Sequence, residues 1–471
     1  MPKITTTAQI REHLLARREI ALLDVREEDP FAQGHPLFAA NLPLGRIELD
    51  AHARIPRRDT RIVVYDNGEG LAEKAASRLQ ALGYTGVSLL EGGLKGWRDG
   101  GGEIFIDVNV PSKSFGELVE AQRHTPSLPA EEVQALLDAK ADVVVLDARR
   151  FDEYQTMNIP GSTSVPGAEL VLRARALAPD AATRIIVNCA GRTRSIIGTQ
   201  SLVNAGLPTP VTALRNGTIG WTLAGLSLEH GADRRPSQDI PPAVREEAAR
   251  AARDVADRAG VQRARLDDLP RWQAESGRTT YLFDVRTPEE FAAGHLPDFL
   301  SAPGGQLVQE TDVSAPVRGA RIVLVDSDGT RANMTASWLA QMNWDVWVLD
   351  DVPASAFTEQ GSAPLPLPAP SRKVSWISAR QLADELASEP PGATAIINLT
   401  TSANHVKRHI AGAWFALRSD IGRALAQIPR AQRYVLTCGT SMLAQYAVEE
   451  VEQSTDGARV QLIEGGNQAW F

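Results

Sequence analysis

Two cysteines stand in a chain of 471 residues, Cys189 and Cys438. Cys189 has the more reactive surroundings. It opens the run Cys189-Ala190-Gly191-Arg192-Thr193-Arg194-Ser195. A free thiol has a pKa of about 8.5, and only the thiolate is a good nucleophile. A helix N-terminus supplies unpaired N–H groups and partial positive charge, and two guanidinium groups add full charges. Each favours the thiolate, and together they would hold an anion beside the sulfur. Cys189 is therefore a candidate nucleophile, and Ala190, Gly191, Arg192, Thr193, Arg194 and Ser195 are candidate substrate-binding residues. The alternative is a buried core cysteine. Apolar packing does not account for two arginines within five residues of it.

Such a loop must be held between a strand and a helix. Ile185 to Val187 is a continuous apolar run, which predicts a buried parallel strand. Ile196 to Ala205 reads as a helix, with Gly206 as its stop. This arrangement recurs. A strand ending in an acidic or amide residue appears as Leu22-Leu23-Asp24, Val145-Leu146-Asp147, Leu282-Phe283-Asp284 and Ile396-Ile397-Asn398. A second strand then leads to Asp66, Cys189, Asp326 and Cys438. The separation is 42 residues in the first three copies (24 to 66, 147 to 189, 284 to 326) and 40 in the fourth (398 to 438). One unit has been copied four times.

Helical stretches such as Glu73 to Leu82 and Met334 to Met342 alternate with the strands. That predicts an α/β fold, each unit a parallel sheet flanked by helices. Four tandem domains are expected over residues 1–110, 124–235, 260–355 and 373–471. An Ala/Arg/Glu-rich helix over Ala243 to Ala259 and a proline-rich connector over Ser362 to Ser371 separate them.

Further landmarks keep register. Phe31-x-x-Gly34-His35, Tyr154 to Ile159-Pro160-Gly161, Phe291 to Gly294-His295-Leu296-Pro297 and His409-Ile410-Ala411-Gly412-Ala413 follow the first strands. Leu90-Glu91-Gly92-Gly93 with Trp97, Leu214-Arg215-Asn216-Gly217 with Trp221, and Ile463-Glu464-Gly465-Gly466 with Trp470 follow the loop helices. The third copy lacks the Gly pair and the Trp. These segments and the Cys189 loop resemble the rhodaneses, the thiosulfate sulfurtransferases. The resemblance implies that Cys189 takes a sulfane sulfur from an anionic donor, forms a persulfide, and passes the sulfur to a thiophilic acceptor such as cyanide or a thiol. Arg192 and Arg194 match the family's basic positions. No cofactor or metal is expected. The resemblance also implies that the units dock as one with two and three with four.

The other copies differ at the reactive position. Asp66 and Asp326 replace the nucleophile, and a carboxylate cannot carry a persulfide. Cys438-Gly439-Thr440-Ser441-Met442-Leu443-Ala444 is similar to the mercaptopyruvate sulfurtransferase loop. It puts Ser441 where a Gly often supplies positive φ, and it has no basic residue. Cys438 is a possible second site, with a vestigial cysteine as the alternative. Asp24 with Arg26, Asp147 with Arg149 and Asp284 with Arg286 read as structural ion pairs, since two of the three copies lack a thiol. His35 and His295 sit in those same two copies, so a general-base histidine is not expected. Arg150 and Arg215 either line the mouth of the second unit's pocket or are plain solvated arginines.

Composition bounds the rest. A formal charge of −9 argues against nucleic-acid binding. No run of about 20 apolar residues suggests a membrane span. Two cysteines suit a reducing cytoplasm. A cysteine phosphatase needs five residues between Cys and Arg, and here Cys189 and Arg194 have four between them. A sulfur-relay or binding scaffold that delivers persulfide sulfur to a partner protein remains the alternative function.

Overall fold

The computed structural model describes residues 3–362 and 367–471, so Pro364 and Pro366 of the proline-rich connector lie outside the described residues. Four sheets form, one per copy. Counting strands within each copy, every sheet has the order 1-5-4-2-3, with all of its own strands parallel. The order of connections reverses between the second and fourth strands, so the C-terminal ends of these strands open a crevice. Asp66, Cys189, Asp326 and Cys438 each follow the fourth strand: Ile62–Tyr65, Arg184–Asn188, Arg321–Val325 and Arg433–Thr437. Ile185, Ile186 and Val187 are fully buried, as a parallel strand covered on both faces requires. Among the described residues, no helix is long and apolar enough to cross a membrane.

The helix after the Cys189 loop spans Thr193–Asn204, three residues earlier than apolar periodicity indicates. Its first turn, Thr193-Arg194-Ser195, serves the loop rather than the core, so it carries no apolar signal. The third copy, without the Gly pair, forms only a short 3₁₀ turn, Ala354–Ala356, where the others have a helix.

Among the described residues, no strand pairing or hydrogen bond joins unit one to two or unit three to four, so the expected pairing is corrected. Units two and three dock, as do one and four. The contact uses the same turn each time, 20 or 21 residues beyond the strand-end residue of each copy. Gly167 lies against Gly305, and Gly45 lies against Arg418, whose guanidinium donates to the Gly45 carbonyl at 3.0 Å and to Glu48 at 2.6 Å. The helix Pro242–Arg258 seals the seam between units two and three with Ala248, Ala252, Val255 and Ala256. Unit three also adds a strand, Val317–Arg318, antiparallel to Ile20 and Ala21 of the first sheet. One apolar cluster therefore runs through units one and three. The seam between two and three leaves a cleft of about 540 Å³.

Candidate active site

Cys189 lies at the crevice of the second sheet with 1% of its surface exposed. Its thiol donates to Ser195 Oγ at 3.4 Å, and that hydroxyl donates to the Arg192 carbonyl at 2.9 Å. The loop is pinned from behind. Thr218 N–H donates to the Cys189 carbonyl at 2.9 Å and Ile219 N–H to the Ala190 carbonyl at 3.0 Å. This approach requires Gly217, which has φ +54°. A Cβ there would collide with the Cys189 carbonyl and lie 2.8 Å from the Ala190 carbonyl carbon. Gly217→Ala is expected to cost about 1–3 kcal/mol of stability, measured as a lower urea midpoint, and to slow reaction at Cys189. An unchanged midpoint would mean that the loop tolerates displacement. Trp221 is fully buried and donates to the Ser227 carbonyl at 2.9 Å, a core role.

The sibling loops show which groups face the reactive position. The Asp66 carboxylate accepts the N–H groups of Gly68 (2.9 Å), Leu71 (2.6 Å) and Ala72 (3.0 Å). Asp326 accepts those of Gly329 (2.9 Å) and Ala332 (2.7 Å). Each of these two loops thus wraps a carboxyl group that belongs to its own chain. Burial first, and the charge of Asp328 second, push Asp326 up to about 7. By register, the N–H groups five and six residues beyond Cys189 belong to Arg194 and Ser195.

The loop arginines are not free. Arg194 donates to Glu153 through both Nη atoms, at 2.7 and 2.9 Å. Burial works against its charge, but the Glu153 hydrogen bonds and charge outweigh it, with Cys189 and Asp147 adding to the effect, so its pKa is raised. Arg331 and Glu290 make the same pair in the thiol-free third unit, at 2.5 and 2.8 Å. Arg192 reaches the linker helix Val110–Arg123. Its Nε and Nη2 donate to Glu117 at 2.7 and 2.8 Å, and Nη2 also meets Glu120. Sequence reasoning passed over all three carboxylates. The Glu153–Arg194 pair could have been found from its repeat at the same offsets in copy three. Glu117 and Glu120 lie in a linker that no repeat marks.

The strand-end ion pairs are structural. Asp24–Arg26, Asp147–Arg149 and Asp284–Arg286 are all buried, and each arginine also donates to a backbone carbonyl of the following loop. His35 and His295 stack on Phe31 and Phe291 with centroids 3.8 Å apart. Arg150 and Arg215 are exposed.

Around Cys438 the loop helix is displaced. A 3₁₀ turn begins at Ala444, six residues beyond the thiol, and the α-helix only at Val448. The α-helix thus starts ten residues beyond this sulfur, against four beyond Cys189. Ser441 takes the positive φ, +65°, that glycine usually supplies. Cations absent from the loop sequence arrive from elsewhere: Lys407 and Arg408 line a groove of about 410 Å³ beside Gly439.

A rhodanese-like domain model matches residues 6–99, 129–224 and 266–351. The chain belongs to the rhodanese family. The fourth sheet lies outside the matched stretches but shares the rhodanese strand order. A crystal structure of thiosulfate sulfurtransferase from Pseudomonas aeruginosa is 65% identical, with a TM-score of 0.95, over 99% of this chain and 88% of that one. An uncharacterized protein of Bacillus subtilis, YqhL, is 33% identical over 102 residues, which is 22% of this chain and 77% of that protein.

Proposed function

We propose that this chain is a thiosulfate sulfurtransferase with one working site, at Cys189. The observation that carries the reading is the loop itself. It presents a thiol at the N-terminus of Thr193–Asn204, at the position where sibling loops wrap a carboxylate in N–H groups. The 65% identity to the Pseudomonas aeruginosa enzyme supports the choice of donor.

The Cys189 thiolate attacks the outer sulfur of thiosulfate. A new S–S bond forms, the donor's S–S bond breaks, and sulfite leaves with the electron pair. The terminal persulfide sulfur takes the anion position, facing the N–H groups of Arg194 and Ser195. Cyanide or a thiol then attacks that sulfur and restores the Cys189 thiolate, a two-step ping-pong course. The thiol's burial favours a small acceptor over a partner protein, whose thiol would need an extended segment to reach it. Arg194 is engaged by Glu153 and separated from Cys189 by four residues, which does not suit a phosphate cradle. Both cysteines are unpaired, which suits the reducing cytoplasm we propose for the chain.

Intact mass after incubation with thiosulfate tests the reading. The expected gain is one sulfur, mapped by peptide to Cys189. Cys438→Ser should leave that gain and the turnover with cyanide nearly unchanged, because the Cys438 loop has no basic residue and its α-helix starts only at Val448. Labelling of Cys438 instead, or loss of turnover in Cys438→Ser, would reverse the ranking of the two loops.

A further inference from the structure

The linker helix Val110–Arg123 is pressed onto the start of the loop helix. Gly116 permits this: a Cβ there would stand 3.0 Å from Thr193 Cγ2. The helix is fastened along its length. Ser112 Oγ donates to the Gln309 carbonyl at 2.7 Å, Phe115 meets the edge of Trp338, and just beyond its end Thr125 Oγ1 donates to Gln200 at 2.8 Å. So fixed, it points Glu117 and Glu120 at one guanidinium, that of Arg192. Two carboxylates face one cation, and the hydrogen bond to Glu117 leads the interactions that raise the pKa of Arg192 above its ordinary value.

This matters for the site because Arg192 is one of only two cations in the loop, and the other is committed to Glu153. An anion entering the mouth must compete with Glu117 and Glu120 for Arg192. We propose that Glu117 and Glu120 are positioning residues that set the charge selectivity of the Cys189 site. They hold Arg192 on the linker helix and make the mouth less attractive to anions than the loop sequence alone implies. A weaker hold on anions eases sulfite release and leaves room for a neutral acceptor. The inference rests on the sulfurtransferase reading only for its consequence in turnover.

The test uses the full chain carrying Cys438→Ser, so that Cys189 is the one thiol. Alkylation rates with iodoacetate, an anion, and iodoacetamide, its neutral analogue, are compared at low ionic strength. Their ratio reads the field at the thiol and cancels changes in its intrinsic reactivity. Glu117→Gln with Glu120→Gln should raise the iodoacetate-to-iodoacetamide ratio by roughly fivefold, the size of one partly exposed charge interaction. Adding Arg192→Ala should return the ratio to its starting value or below, and 0.5 M salt should flatten the difference. The KM for thiosulfate should fall by a similar factor in the double variant with kcat little changed. An unchanged ratio, or a rise that persists without Arg192, overturns the proposal. Should neither reagent reach the buried thiol, an unchanged KM overturns it. Failure of the sulfurtransferase reading shows separately, as no thiosulfate-derived sulfur on Cys189.

Discussion

Cys189→Ser is expected to reduce sulfur transfer from thiosulfate to cyanide by roughly a thousandfold or more, with the fold unchanged. A serine hydroxyl is a poor nucleophile unless a base takes its proton, and the site offers none. The polar neighbour of the sulfur is Ser195 Oγ, which already donates to the Arg192 carbonyl. The nearby carboxylate, Glu153, is held by Arg194, which keeps its pKa below the usual range although burial alone would raise it. A serine also cannot carry a persulfide. Steady-state turnover and intact mass check this together. Turnover above about one per cent of the parent, or a sulfur gained on Cys438, would show that Cys189 is not the obligatory carrier.

Asp147→Ala is expected to destabilise the second unit by about 3–5 kcal/mol. Arg149 is 3% exposed, and Asp147 takes its Nε at 2.8 Å and its Nη2 at 2.7 Å. The same carboxylate accepts the Arg149 N–H and the Asn188 side-chain amide. Removing it leaves a guanidinium buried with only the Met157 carbonyl as partner. Asp24→Ala and Asp284→Ala should behave alike in units that have no thiol, which separates a structural role from a catalytic one. The fourth copy shows what the fold does without the pair: Asn398 there bonds His405 at 3.0 Å, and Thr400 replaces the arginine. The cost therefore comes from stranding the arginine, not from a need of the fold for an ion pair. The urea midpoint reads the effect. A loss below about 1 kcal/mol would mean that water reaches Arg149.

Much of the molecule was legible before any coordinate. The near-constant spacing from Asp24, Asp147, Asp284 and Asn398 to the reactive position reports four sheets, because strand, helix and loop lengths within a unit are local properties. The apolar run Ile185 to Val187 marks a strand buried on both faces for the same reason. The ion pairs were readable because their partners are two residues apart and repeat.

Tertiary structure alone decided three things. It set which units dock, because complementarity between the turns at Gly45 and Arg418, or at Gly167 and Gly305, leaves no periodic trace in either segment. It brought Glu117 and Glu120 onto Arg192 across more than seventy residues, and Lys407 and Arg408 into a groove with Gly439 from about thirty residues upstream. It also turned Asp66 and Asp326 from mere absences of a thiol into carboxyl groups wrapped by the N–H groups of their own loops. A sequence pattern records which face of an element is apolar. The charge that reaches a sulfur depends on surfaces packed against it from elsewhere in the chain, and that is settled only when those surfaces meet.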